Sequence, residues 1–167
     1  MIDRIRNNPR AAELLADVFD FDITRLDPVE PVRLASGGDL TPIAGDASGG
    51  TFFDCGGPVL YASSEGSAGV LAPDLTAALE LIVGIPTWHD VVGSAPDLDA
   101  MREAFTSSYA ELKDEFEPEI DAHRAEVAAE LGLTDVPADE LLARLRTSLT
   151  DSDLVLLNEE GDAFDRL

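Results

Sequence analysis

The residues that could act as nucleophile, general base, metal ligand or phosphate cradle are few. They are the loop Gly45-Asp46-Ala47-Ser48-Gly49-Gly50, the single cysteine Cys55, and the two histidines His89 and His123. A phosphate-binding loop needs Lys-Ser or Lys-Thr after its last glycine and a helix behind it, whose N-terminal amides meet the phosphate. Here Thr51-Phe52-Phe53 comes next, no lysine is near, and Asp46 would repel an anion. A nucleophile elbow needs Gly-x-Ser-x-Gly between strand and helix, and Gly45-Asp46-Ala47-Ser48-Gly49 has a different spacing. The loop therefore reads as a tight connection between strands, with its polar side chains open to a partner.

The remaining constellations are weaker. His123 has Glu119 at i−4 and Glu126 at i+3, a spacing that puts two carboxylates and an imidazole on one helical face, as half of a metal site would. An acidic helix yields that pattern readily, and a solvated face is the expectation. Cys55 with His89 would be a thiolate pair, but Asp54 beside Cys55 raises the thiol pKa, and a buried inert thiol is expected instead. Asp46 and Glu65 sit in adjacent loops as a conceivable carboxylate pair. A hydrolase built on Ser48, His89 and an acid meets no positional template. These residues assign no catalytic group, cofactor or metal.

The elements that must position them can be read from period and punctuation. An N-terminal helix covers 3–18, interrupted or started near Pro9, and Pro28 and Pro31 enforce an extended connector. Short strands are expected at 32–35 and 40–44. A meander comes next at Thr51–Cys55, Val59–Ser63 and Gly69–Ala72, because Gly56-Gly57 between two β-prone runs is a hairpin signature. The alternation of Phe52 and Asp54 against Phe53 and Cys55 predicts one buried and one exposed sheet face. Asp74 suits an N-cap for a helix over Leu75–Ile85, which Pro86 stops. Beyond Asp97 the period is helical: a stripe of Met101, Phe105, Ser108/Tyr109, Leu112 and Phe116, a helix entered at Pro118 and ended by Gly132, and a third opened by Pro137 with Leu141, Leu142, Leu145 and Leu149. Leu154–Leu157 and Ala163-Phe164 flank a turn, and predict a short terminal strand or hairpin. The expected fold is α+β, a single domain over 1–167. A meander of three to five strands packs on helices in 1–92, a helical extension covers 97–152, and a short strand or hairpin ends the chain at 153–167.

Charge is the strongest compositional signal. Thirty-four acids against eleven bases give −23, and no Lys or Arg occurs from Leu34 through Met101. Such a chain repels nucleic-acid phosphates and anionic headgroups and attracts basic partners. Acidity also serves solubility and salt adaptation, and ten arginines to one lysine points to GC-rich coding. One cysteine, no apolar leader and no apolar run long enough for a span give the cytoplasm as the expected compartment.

The segment Pro42-Ile43-Ala44-Gly45-Asp46-Ala47-Ser48-Gly49-Gly50-Thr51-Phe52-Phe53-Asp54-Cys55, followed by Pro58-Val59-Leu60-Tyr61, Glu65-Gly66, Gly69-Val70-Leu71-Ala72 and the helix 73–85, resembles the central region of the SUKH superfamily, the Smi1/Knr4-like proteins. There a Gly-Asp-x-Ser-Gly-like loop precedes a strand, a second strand begins Pro-Val, and a helix of the form Ala-x-x-Leu-x-x-x-Leu comes after it. The resemblance covers 41–88. Residues 20–39 lack the upstream segment of that family, and the long helical half is unusual for it. The resemblance implies a non-catalytic protein of the immunity type, which binds and neutralises a toxin such as a basic nuclease, or else an adaptor for a housekeeping protein. On that expectation the partner-facing residues are Asp39, Asp46, Ser48, Asp54 and Glu65, with a protein as partner and neither nucleic acid nor membrane.

Overall fold

The computed structural model describes residues 1–167, and it is an α+β protein. Two short helices, α1 (Ile2–Arg6) and α2 (Pro9–Asp17), open the chain. Asn8 caps α2 through Ala11 N, and proline stands at its first position, where no amide donor is needed. Strand β1 (Arg33–Leu34) is followed by β2 (Thr41–Gly45), β3 (Thr51–Asp54), β4 (Val59–Ala62) and β5 (Ser67–Ala72). The register Thr51↔Ala62, Phe52↔Tyr61, Phe53↔Leu60 and Asp54↔Val59 is set by the Gly56-Gly57 turn. There both glycines take positive φ (78° and 136°) and Cys55 N donates to Pro58 O at 2.9 Å.

The helical half comprises α3 (Leu75–Gly84), α4 (Trp88–Val92), α5 (Leu98–Glu111), a π-helical turn (Leu112–Phe116), α6 (Ile120–Leu131) and α7 (Ala138–Asp151). Asp74 caps α3 and Asp97 caps α5, each accepting from backbone amides of the first turn. Gly132, with φ of 61°, terminates α6. The chain then returns to the sheets. Strand β6 (Leu156–Leu157) pairs antiparallel with β1, and β7 (Asp165–Arg166) joins the edge of β5 in parallel, giving the order β2-β3-β4-β5-β7.

Two expectations are corrected by this arrangement. The sheet has no solvent face. Phe52, Val59 and Tyr61 enter the principal core, while Phe53, Leu60, Ala62 and Val70 on the other face form a second cluster with Leu34 and Leu156. The small β1–β6 sheet supplies that cover, and its strands lie too far apart in sequence for periodicity to pair them. The helical half packs into the same core as the meander, as the Leu141 and Leu145 stripe leads one to expect. Ile120, Val127, Leu131, Leu141, Leu142 and Leu145 share one core with Ile5, Leu15, Phe52 and Trp88. Finally, Phe116 is not on the core stripe: it is 69 % exposed, whereas Met101 is fully buried and Phe105, Tyr109 and Leu112 pack against the core. The π turn closes with Glu117 N donating to Leu112 O at 2.7 Å. That i→i+5 bond adds a residue to the turn and rotates Phe116 off the stripe.

Candidate functional site

The loop between β2 and β3 folds around its own aspartate. Asp46 N donates to Gly50 O at 3.0 Å, closing the loop. Carboxylate Oδ1 of Asp46 accepts from Ser48 N (2.9 Å), Ser48 Oγ (2.8 Å) and Gly50 N (2.8 Å), and Oδ2 accepts from the Tyr61 hydroxyl at 2.6 Å. His89 Nε2 stands 3.5 Å from Oδ2. Gly50 is required by packing, because a Cβ there would collide with the Tyr61 hydroxyl and come within 2.5 Å of the Asp46 carboxylate. Arg25 reaches over from the N-terminal connector and donates to Asp46 O at 3.0 Å. Behind the loop the rings stack in a continuous series. Phe52 lies 5.0 Å from Tyr61, Tyr61 meets Trp88 edge-on at 4.9 Å, and Trp88 lies against His89 at 3.6 Å. The indole Nε1 of Trp88 and Nε2 of His89 are both buried without a hydrogen-bond partner.

Asp46 is only 2 % exposed, which corrects its assignment as a solvent-facing charge. Burial pushes its pKa up, but the adjacent His89 imidazole and the hydrogen bonds from Tyr61, Ser48 and Gly50 outweigh it and hold the carboxyl well below the usual range. Tyr61 moves the other way: burial and the adjacent Asp46 anion raise its hydroxyl above the usual tyrosine range. The raised Tyr61 value supplies stability at pH below about 10 that is lost as pH climbs past it.

The loop brings Ser48, Asp46 and His89 together in the wrong order for acyl transfer. A serine nucleophile requires the imidazole between itself and the acid, so that a neutral base takes its proton. Here the carboxylate stands in the middle, with the Ser48 hydroxyl on one oxygen and His89 facing the other. An aspartate stabilised in its ionised form is a poor proton acceptor.

The other residues named from sequence fall at two ends of the sheet. Ser48 and Glu65 are exposed at one end, on the β2–β3 loop and the β4–β5 turn, which lie close enough that a Cβ on Gly49 would be 3.5 Å from Ser64 Cβ. Asp39 and Asp54 are exposed at the other end, since Thr41 pairs with Asp54. Asp54 is also engaged locally, accepting from Gly56 N and Gly57 N at 2.9 Å. The five candidates therefore do not form one surface. Glu65 is not a partner of the Asp46 carboxylate, whose lone pairs are taken by the donors above. Cys55, next to Asp54, is at the far end from His89, and burial and then the Asp54 charge push its thiol up to about 11.

At His123, Nδ1 lies 3.5 Å from Glu117 Oε1 and Nε2 lies 3.8 Å from Glu119 Oε2. Glu126 is drawn away by Arg10, whose Nε and Nη2 reach its carboxylate at 2.9 and 3.3 Å. No three His, Cys, Asp or Glu side chains converge as a metal ion would require. A surface groove of about 750 Å³ lies between α3 and α7, with Leu71, Leu81, Leu141 and Leu145 on its walls and Glu80, Arg144 and Glu140 paired at its rim. It holds none of Asp39, Asp46, Ser48, Asp54 and Glu65.

Arg25, Tyr61 and Trp88 were not singled out by the sequence. The hairpin register could have found Tyr61, because the Gly56-Gly57 turn pairs it with Phe52, one residue past the start of β3. Nothing local points to Arg25 or Trp88.

The basic residues are largely neutralised within the chain. Arg6, Arg10, Arg25, Arg102, Lys113, Arg124 and Arg144 hold carboxylates, and Arg4 donates to Leu131 O. What remains on the surface is predominantly negative. No helix is long and apolar enough to cross a membrane. No family model, curated protein or solved structure matches this chain.

Proposed function

We propose that this chain is a non-catalytic, cytoplasmic binding protein of the immunity type, whose acidic surface occupies a basic partner such as the substrate groove of a toxin nuclease. The observation that carries this reading is the Asp46 loop. The constellation holding the reactive residue types engages them with one another, with the aspartate buried and ionised and the serine hydroxyl donating to it. The unpaired carboxylates elsewhere are left to act at longer range. A basic groove and an acidic protein attract over roughly a Debye length of 8–10 Å, which raises the encounter rate. The resemblance to the SUKH superfamily through 41–88 supports the same reading. Nucleic acid and anionic membranes are disfavoured as direct partners by the same charge.

The test is recovery of the partner from native cells by cross-linking and mass spectrometry, followed by association kinetics at several salt concentrations. A basic partner is expected, with an association rate that falls steeply with salt and a toxic activity neutralised at equal stoichiometry. A basic partner without toxic activity would make the chain an adaptor. A salt-indifferent association, or an enzymatic turnover abolished by Ser48→Ala or His89→Ala, would overturn the reading.

A further inference from the structure

The stripe on α5 continues at every third or fourth position from Met101 through Phe105 and Tyr109 to Leu112, and Phe116 is its next member. A regular helix would carry Phe116 to the same side. Instead the chain adopts a π turn at Leu112–Phe116 and displays the phenyl ring, 69 % exposed, at the corner between α5 and α6. π turns of this kind occur frequently at functional positions. The ring borders a cleft of about 440 Å³ shared with Thr87, Ala104 and Leu112. Asp90 and Glu111 line the same cleft, and Asp114 and Glu115 stand exposed on the turn itself. The nearby base, Lys113, pairs with Asp121 and forms an ion pair with none of these four.

We infer that this corner is the partner-docking surface, in which Phe116 inserts into an apolar pocket of a basic protein segment whose Lys and Arg side chains meet Asp90, Glu111, Asp114 and Glu115. The inference rests on the proposed binding role and moves its contact surface from the sheet-end loops to α5–α6. The occupant is set by charge and shape. A large apolar anchor inside an unpaired acidic rim is the complement of an apolar pocket inside a basic rim. The anchor supplies residence time, because burying an aromatic ring removes much apolar area from water, and the rim supplies the encounter rate. The surface recognises a basic protein segment rather than nucleic acid, whose phosphates the rim repels.

The experiment selects random peptides displayed on phage against the immobilised full chain, then measures the enriched peptides in solution against variants. The expected peptides combine Lys or Arg with a cluster of aliphatic or aromatic residues. Their affinity should fall about tenfold or more for Phe116→Ser, fall severalfold for Asp114→Lys with Glu115→Lys, weaken with salt, and stay unchanged for Glu65→Lys on the sheet. Circular dichroism and urea midpoints of Phe116→Ser should match the parent, so lost binding reports the contact rather than the fold. Peptides that bind Phe116→Ser as well as the parent, or no enrichment at all, would overturn the inference. So would sedimentation showing a dimer of this chain that Phe116→Ser dissociates, since the occupant would then be a second copy. A native partner that binds in a salt-dependent way but ignores Phe116→Ser would remove this surface and leave the binding role standing. A native partner whose association ignores salt would remove that role.

Discussion

The Asp46 loop and the turn at Leu112–Phe116 are built from similar residue types, acids beside an aromatic ring, and they put them to opposite uses. At Asp46 the carboxylate is buried and four donors converge on it, with the Tyr61 ring carried into the core. At the π turn the acids stand in solvent, and the ring is carried out of the core that its stripe belongs to. The difference is the supply of donors. A buried anion persists only where hydrogen bonds replace water, and the β2–β3 loop provides two amides, a serine hydroxyl and a tyrosine hydroxyl within 3 Å. Nothing of that kind surrounds Asp114 and Glu115, so they remain hydrated. One group of acids is thus part of the architecture, and the other is free to meet something else.

The largest effect should come from removing the buried anion. Asp46→Ala strands the Ser48, Gly50 and Tyr61 donors and should cost about 3–5 kcal/mol, read as a fall in the urea midpoint. A variant as stable as the parent would dissolve the contrast between the two regions. Leu145→Ala, at a fully buried site of α7 in the shared core, should cost about 2–5 kcal/mol by the same measurement. An unchanged midpoint there would mean the Leu141–Leu145 stripe is exposed or mobile rather than part of the core.

The pH dependence sharpens the first of these. Because the Asp46 pKa is depressed on folding, its contribution is complete above the ordinary carboxylate range and is lost as pH falls through and below it. Comparing the parent with Asp46→Asn cancels the titration of the other acids. Their stability difference should narrow by about 1 kcal/mol between pH 7 and pH 3, since the unfolded chain takes up the proton first. A constant difference would mean that folding leaves the Asp46 pKa at its ordinary carboxylate value.

The smallest effects should be on the other side of the comparison. Phe116→Ala and Glu65→Lys alter exposed side chains and should change stability by less than about 0.5 kcal/mol. A clear loss for Phe116→Ala would show that the ring contributes to the fold and would count against its display as an anchor.

Local chemistry was legible in the sequence. The Gly56-Gly57 turn follows from the positive φ that hairpin turns demand, the cap at Asp74 from orphan amides at a helix start, and the stop at Gly132 from its left-handed conformation. Each of these depends on residues within a few positions of one another. The α+β class followed from the switch of hydrophobic period from two to between three and four near Leu75. The net charge needs no structure at all, and the rejection of a phosphate loop required only the missing lysine and the strand after Gly50.

Tertiary contact decided the rest. Whether Asp46 is a surface charge or a buried anion depends on Tyr61 and His89 arriving from β4 and α4, and no pattern around Asp46 encodes their arrival. Both faces of the sheet are buried because β6 returns to pair with β1, a closure between distant segments. Phe116 leaves its stripe where the backbone bonds span five residues instead of four, a change that leaves composition and spacing untouched. Periodicity reports which side chains could share a face, but the free energy that decides it includes desolvation and long-range pairing, and those terms exist only in the folded chain.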